Sequence, residues 1–214
     1  MSRHSLLALC LPVVIAIAGC TSAPPAGSVA NTASQSESRE IDYRLRDFSV
    51  TLEMPEGWVE AVRYDNAVFL DGPNGASLAF GHVEAIIPSP PPDDPSQVES
   101  LDEPTVDRVL ELIRDNRDVE MTEPEAAEIG GLSGQRVDLT SEERIPLIGT
   151  SRGAAGTEGE TGVGLEGIGV DRTVFLQAQD PQQVVFVDVF TDNADAIEDA
   201  WAEAQPVLEG MTFE

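Results

Sequence analysis

The sequence predicts an α+β fold in which a single antiparallel β-sheet is packed by two amphipathic helices. Three observations support it. Short segments alternate apolar and polar residues with the period of a half-buried strand. Turn clusters rich in Gly, Pro, Asn and Asp join them as hairpins at 71–75 and 179–182. Two further segments repeat apolar residues at helical spacing, one mid-chain and one near the end.

In chain order, residues 1–19 form a secretory leader. Arg3 supplies the positive start and Leu6 to Ala18 the apolar run, too short for the roughly 20 residues of a membrane span. Residues 20–46 are rich in Ser, Thr, Ala, Pro and Gly at first and bury almost nothing, so a disordered tether is expected there. The folded domain then covers 47–214.

Phe48, Val50 and Leu52 alternate with Ser49 and Thr51 as a first strand, and Pro55-Glu56-Gly57 turns the chain into Trp58. Further strands follow at 58–64, 67–70 and 76–87, making an antiparallel meander. The proline-rich stretch 88–95 cannot continue a sheet and reads as a linker. Val106, Val109, Leu110 and Ile113 then give one apolar helix face over about 102–116. Ser100 to Glu103 has capping-box spacing, and before Pro104 either Asp102 or Glu103 serves equally as the start.

Residues 119–128, interrupted by Pro124, read as a weak edge strand, with a turn at Gly130-Gly131 and a strand through 135–140. A polar, glycine-rich loop is expected at about 141–169. Strands at 173–178 and 184–190 form the second hairpin, and the apolar run Val184 to Val187 suggests cover on both faces. Asp192 and Asn193 cap a last helix carrying Ile197, Ala200, Trp201 and Ala204; Pro206 ends or kinks it, and Met211 to Phe213 form a closing strand.

Ile17-Ala18-Gly19-Cys20 resembles the lipobox of bacterial lipoproteins. The resemblance implies cleavage between Gly19 and Cys20, a diacylglyceryl group on the Cys20 thiol, and a new amino terminus open to acylation. It places the protein on the extracytoplasmic face of the cell membrane, held by lipid. Cys10 then leaves with the leader and Cys20 carries lipid, so no thiol remains for a disulfide or a thiolate metal site.

The segment Phe48-Ser49-Val50-Thr51-Leu52 with Pro55-Glu56-Gly57-Trp58, then Ile129 to Asp138, a long hairpin, a helix and Met211-Thr212-Phe213, resembles the LpqN-type lipoproteins of actinobacteria and the wider PsbP-like fold. That resemblance implies an antiparallel sheet flanked by helices and a role in the cell envelope or in assembly, without known catalysis.

The formal charge is −27, from 39 acidic and 12 basic residues, all twelve of them arginine. Such a surface repels phosphate backbones and anionic headgroups, which argues against nucleic-acid binding and against a polybasic membrane contact.

Motifs that could carry chemistry lack their context. Gly149 to Gly153 fits G-x-S-x-G, yet no histidine follows Ser151 to act as base. Gly162 to Gly167 fits G-x-G-x-x-G, yet a strand follows it where the fingerprint needs a helix. His82 is the sole histidine after processing and reads as structural or half-exposed. Asp188 interrupts the most apolar strand and is expected on its wetter face or beside an arginine. No catalytic residue, metal site or cofactor is predicted. The functional expectation is a non-enzymatic, lipid-anchored envelope protein that binds an envelope protein or a small amphiphile. The competing expectation is a hydrolase using paired carboxylates about 5–10 Å apart.

Overall fold

A computed structural model of the chain describes residues 38–45, 48–92, 98, 100–149, 162–165, 169–179, 182–191 and 193–214. The expected leader, Gly19 and Cys20 of the lipobox, and the tether up to residue 37 lie outside the described residues. So does Ser151.

The described chain runs β1 (Arg39–Leu45), β2 (Phe48–Met54), β3 (Val59–Arg63), β4 (Ala67–Asp71), β5 (Ser77–His82), β6 (Ala85–Ile86), α1 (Val106–Arg114), β7 (Glu120–Met121), β8 (Glu125–Ile129), β9 (Leu132–Thr140), β10 (Ile145–Gly149), β11 (Gly162–Leu165), β12 (Val170–Gln179), β13 (Gln182–Thr191), α2 (Ile197–Glu209) and β14 (Thr212–Phe213). The α+β class and the antiparallel pairing agree with the expectation, and α1 and α2 fall where the periodicity put them.

The single sheet does not. Among the described residues an eight-stranded sheet runs β3-β4-β5-β13-β12-β9-β7, with β8 also paired to β9, and two three-stranded sheets lie beside it, β1-β2-β14 and β11-β10-β6. The physical reason is two-sided burial. Along β13, Val185, Val187 and Val189 join one apolar cluster while Val184 and Phe186 join another. A helix covers only part of such a face, so β1, β2 and β14 complete the cover beside α2, and β6 and β10 complete it beside α1.

Two boundaries change for the same reason. The expected tether contains β1, whose Tyr43 and Leu45 are buried opposite Val50 and Phe48 of β2. The expected glycine-rich loop contains β10 and β11, and Ile145, Leu147 and Ile148 of β10 pack into the α1-side core.

Helix α1 starts later than expected, at Val106, because Thr105 is the cap and its hydroxyl accepts from the Arg108 N–H at 3.2 Å. A 3₁₀ turn capped by Asn193, over Ala194–Ala196, leads into α2. Pro206 sits inside α2 without ending it, and the helix reaches Glu209.

Candidate functional site

Strand alternation decides which side chains meet α2. On β12, Arg172 shares its face with Val174 and Leu176, so this arginine points at the helix layer. It is 6% exposed. Asp138 lies directly opposite it on β9. The Arg172 Nε donates to Asp138 Oδ1 at 2.7 Å and its second guanidinium nitrogen to Oδ2 at 2.8 Å. Two more bonds, at 3.0 and 2.9 Å, reach the Glu198 carboxylate in the first turn of α2. One planar fork therefore ties β9, β12 and α2 together.

The bonds to Asp138 and then Glu198 hold the Arg172 proton more tightly than an ordinary guanidinium does, against the opposing effect of burial. Arg172 in turn keeps the Glu198 carboxyl below the usual carboxylate range.

Trp201, one turn on from Glu198, has the Arg172 guanidinium 5.7 Å and the Arg136 guanidinium 5.8 Å from its ring, within the reach of cation–π attraction. Arg136 also pairs with Glu125 across the β8–β9 hairpin. Beside this assembly an open cleft of about 510 Å³ runs between α2 and the hairpin. Val174, Ile129 and Leu208 give it apolar surface, and Trp201, Arg136 and Gln205 give it polar groups. Its size is within the range of ligand sites, roughly 300–1,000 Å³.

A second cavity, of about 380 Å³, lies toward the β3 edge and is lined by Arg44, Leu45, Arg63, Tyr64 and Asp65. Arg63 there rests 4.4 Å above the Tyr43 ring and pairs with Glu60 at 2.7 Å. Burial, and then the Glu60 charge, push the Tyr43 hydroxyl pKa up. Leu45 and Tyr64 give this cavity apolar surface, and Arg44, Arg63 and Asp65 give it charged groups.

His82 is buried, not half-exposed, and its Nε2 lies 2.9 Å from Glu84 Oε1. Asp188 is neither on a wet face nor beside an arginine: at 1% exposure it accepts its hydrogen bond from the Thr173 hydroxyl at 2.8 Å. Register explains the placement, since Asp188 alternates with Val187 and Val189 and so falls on the α1-side face with Phe186. Burial pushes its carboxyl pKa up to about 6, partly offset by the Thr173 bond. It lines neither cavity.

The carboxylates that the fold does bring together, Asp138 and Glu198, share Arg172. A general acid needs a raised pKa, and the cation between them acts in the other direction on Glu198. Among the described residues no group of three or more His, Cys, Asp or Glu is placed to hold a metal ion, and no helix is long and apolar enough to cross a membrane.

Trp201 was legible only as a core position, and Arg136 and Arg172 carried no motif. The available signal was parity: Arg172 shares its two-residue period with Val174 and Leu176.

No family model matches the chain, and no curated protein matches it. Several solved structures are similar in arrangement. LpqN of Mycobacterium tuberculosis, described as involved in cell envelope biogenesis, is 12% identical over 82% of this chain and 90% of its own, with a TM-score of 0.42. PA94 of Pseudomonas aeruginosa, a protein of unknown function described as a putative regulator, is 18% identical over 79% and 95%, with a TM-score of 0.37. The Saccharomyces cerevisiae Ran-binding protein Mog1p is 8% identical over 82% and 95%, with a TM-score of 0.42. Likenesses this distant carry no argument about activity.

Proposed function

We propose that this protein is a non-enzymatic, lipid-anchored protein of the cell envelope that docks a partner polypeptide in the cleft between α2 and the β8–β9 hairpin. The observation that carries the reading is the cleft itself. It is open, its apolar floor is Val174, Ile129 and Leu208, and Trp201 stands in its wall with the Arg136 and Arg172 guanidinium groups 5.8 and 5.7 Å from its ring. Aromatic and arginine side chains of this kind anchor protein interfaces. The anchor rests on the lipobox around Cys20.

Gln205 lines the cleft on α2 and tests the reading. A photo-crosslinking residue placed there in the full chain, in cells, is expected to trap one polypeptide identifiable by mass spectrometry. The adduct is expected to vanish when Ala127 is enlarged to Phe. Adducts with lipid alone, or a polypeptide adduct indifferent to Ala127→Phe, would contradict it. Mass spectrometry of the mature amino terminus tests the anchor, which requires cleavage before Cys20 and a lipid mass on it.

A further inference from the structure

Resting on the reading of the cleft as a docking site, we infer that the partner binds as an extended, basic and apolar strand that adds to the free edge of β8.

The two outer edges of the large sheet differ. On β3 the register with β4 shifts between Glu60 and Val62, a bulge that twists an edge away from new pairing. On β8 the register with β9 is unbroken from Glu125↔Arg136 to Ile129↔Leu132. Among the described residues β8 has no neighbour on its other side.

The turn fixes which backbone groups are available. Gly130 and Gly131 have φ of +59° and +81°, as the two-residue hairpin turn with positive φ at both positions demands. The flanking pair Ile129 and Leu132 is then hydrogen-bonded, and by alternation so are Ala127 with Gly134 and Glu125 with Arg136. Ala126 and Glu128 are left with N–H and C=O directed outward, and both are exposed.

The cleft meets that edge. Residues 126 to 130 line it consecutively, whereas one face of a strand would contribute only alternate residues. Backbone donors and acceptors are therefore part of its wall.

Charge and alternation specify the incoming strand. Residues opposite Ala126 and Glu128 share the Glu128 face, so a basic side chain is matched there. Those in between face Trp201 and Leu208 and are matched by apolar side chains. Glu128 and Glu209 line the cleft, and Arg136 is already paired with Glu125. Its charge balance, like that of the whole chain at −27, attracts cations.

The probe is a blocked eight-residue peptide alternating Lys and Leu, titrated against the full chain in zwitterionic phosphatidylcholine nanodiscs, with empty nanodiscs as the blank. Saturable binding is expected, with amide exchange at Ala126 and Glu128 slowed about tenfold or more. Methylating alternate backbone nitrogens of the peptide, replacing its Lys by Glu, or introducing Ala126→Pro should each weaken binding about tenfold or more. Proline is tolerated at 126 because that N–H is outside the β8–β9 ladder, so the melting temperature of the variant should stay within a few degrees. Equal binding of the methylated peptide, or of a folded Ala126→Pro chain, would overturn strand addition, as would no binding of the parent peptide. If Ala126→Pro fails to fold, the methylated peptide still decides. Polypeptide crosslinking at Gln205 alongside failure of these arms would overturn the binding mode and leave the docking reading standing.

Discussion

Replacing Asp188 by Asn should make the protein more stable, and by an amount that depends on pH. Asp188 sits on the α1-side face of the central sheet at 1% exposure, and its carboxyl pKa is raised from 3.8 to about 6, chiefly by burial. A raised carboxyl pKa means that the folded state keeps a proton that the unfolded chain releases. Stability is then fully present below about pH 3.8, falls as pH rises through the window from 3.8 to about 6, and is flat above it. At 1.36 kcal/mol per pH unit, the ionised carboxylate costs about 3 kcal/mol at pH 7.5. Asparagine keeps an oxygen to accept the Thr173 hydroxyl bond and carries no charge to desolvate. Urea unfolding of both proteins at pH 7.5, 6, 5 and 4 gives the difference directly. It should be about 2–3 kcal/mol in favour of Asp188→Asn at pH 7.5 and near zero at pH 4. Using a difference cancels the carboxylates remote from Asp188. An Asn variant that is less stable at pH 7.5, or a gain that does not change with pH, would refute the burial argument.

Two other substitutions probe the frame of the cleft, and a third probes the α1 face of the sheet. Arg172→Met removes the fork joining β9, β12 and α2. The loss should be about 1–3 kcal/mol by urea unfolding, below the range for a fully buried pair because Glu198 is 77% exposed and water takes over its hydration. Its Trp201 fluorescence should also shift, since the guanidinium at 5.7 Å is gone. Gly134→Ala directs a Cβ into the Phe175 carbonyl across the β9–β12 ladder, so it should lower stability by about 2 kcal/mol or more, read by thermal melting. Thr105→Ala deletes the α1 cap and should cost about 1 kcal/mol in the same assay.

Local patterns carried much of the fold. The α1 spacing of Val106, Val109, Leu110 and Ile113 is a property of nine residues, and all four are buried as it requires. Val184 to Val187 announced two-sided burial in the same way. What failed was hidden by composition. Ile41, Tyr43 and Leu45 alternate as a strand should, but Arg39 and Glu40 before them and Asp42 and Arg44 between them look like tether. Ile145, Leu147 and Ile148 sit in a stretch otherwise polar and rich in glycine.

The cleft was not legible at all, because it depends on pairings distant in sequence. Arg172 meets a carboxylate 34 residues before it and another 26 after it, and no local period reports such contacts. The free edge of β8 follows from sheet order, which Pro124 hinted at only by demoting the segment to an edge.

Hydrogen exchange of the chain in its native envelope, compared with the purified full chain, tests the docking surface most directly. The account predicts slower exchange in the envelope confined to β8 and to the α2 turns carrying Trp201 and Gln205. Identical exchange in both preparations, or protection concentrated on the β3 edge near Val59 and Val62, would contradict it.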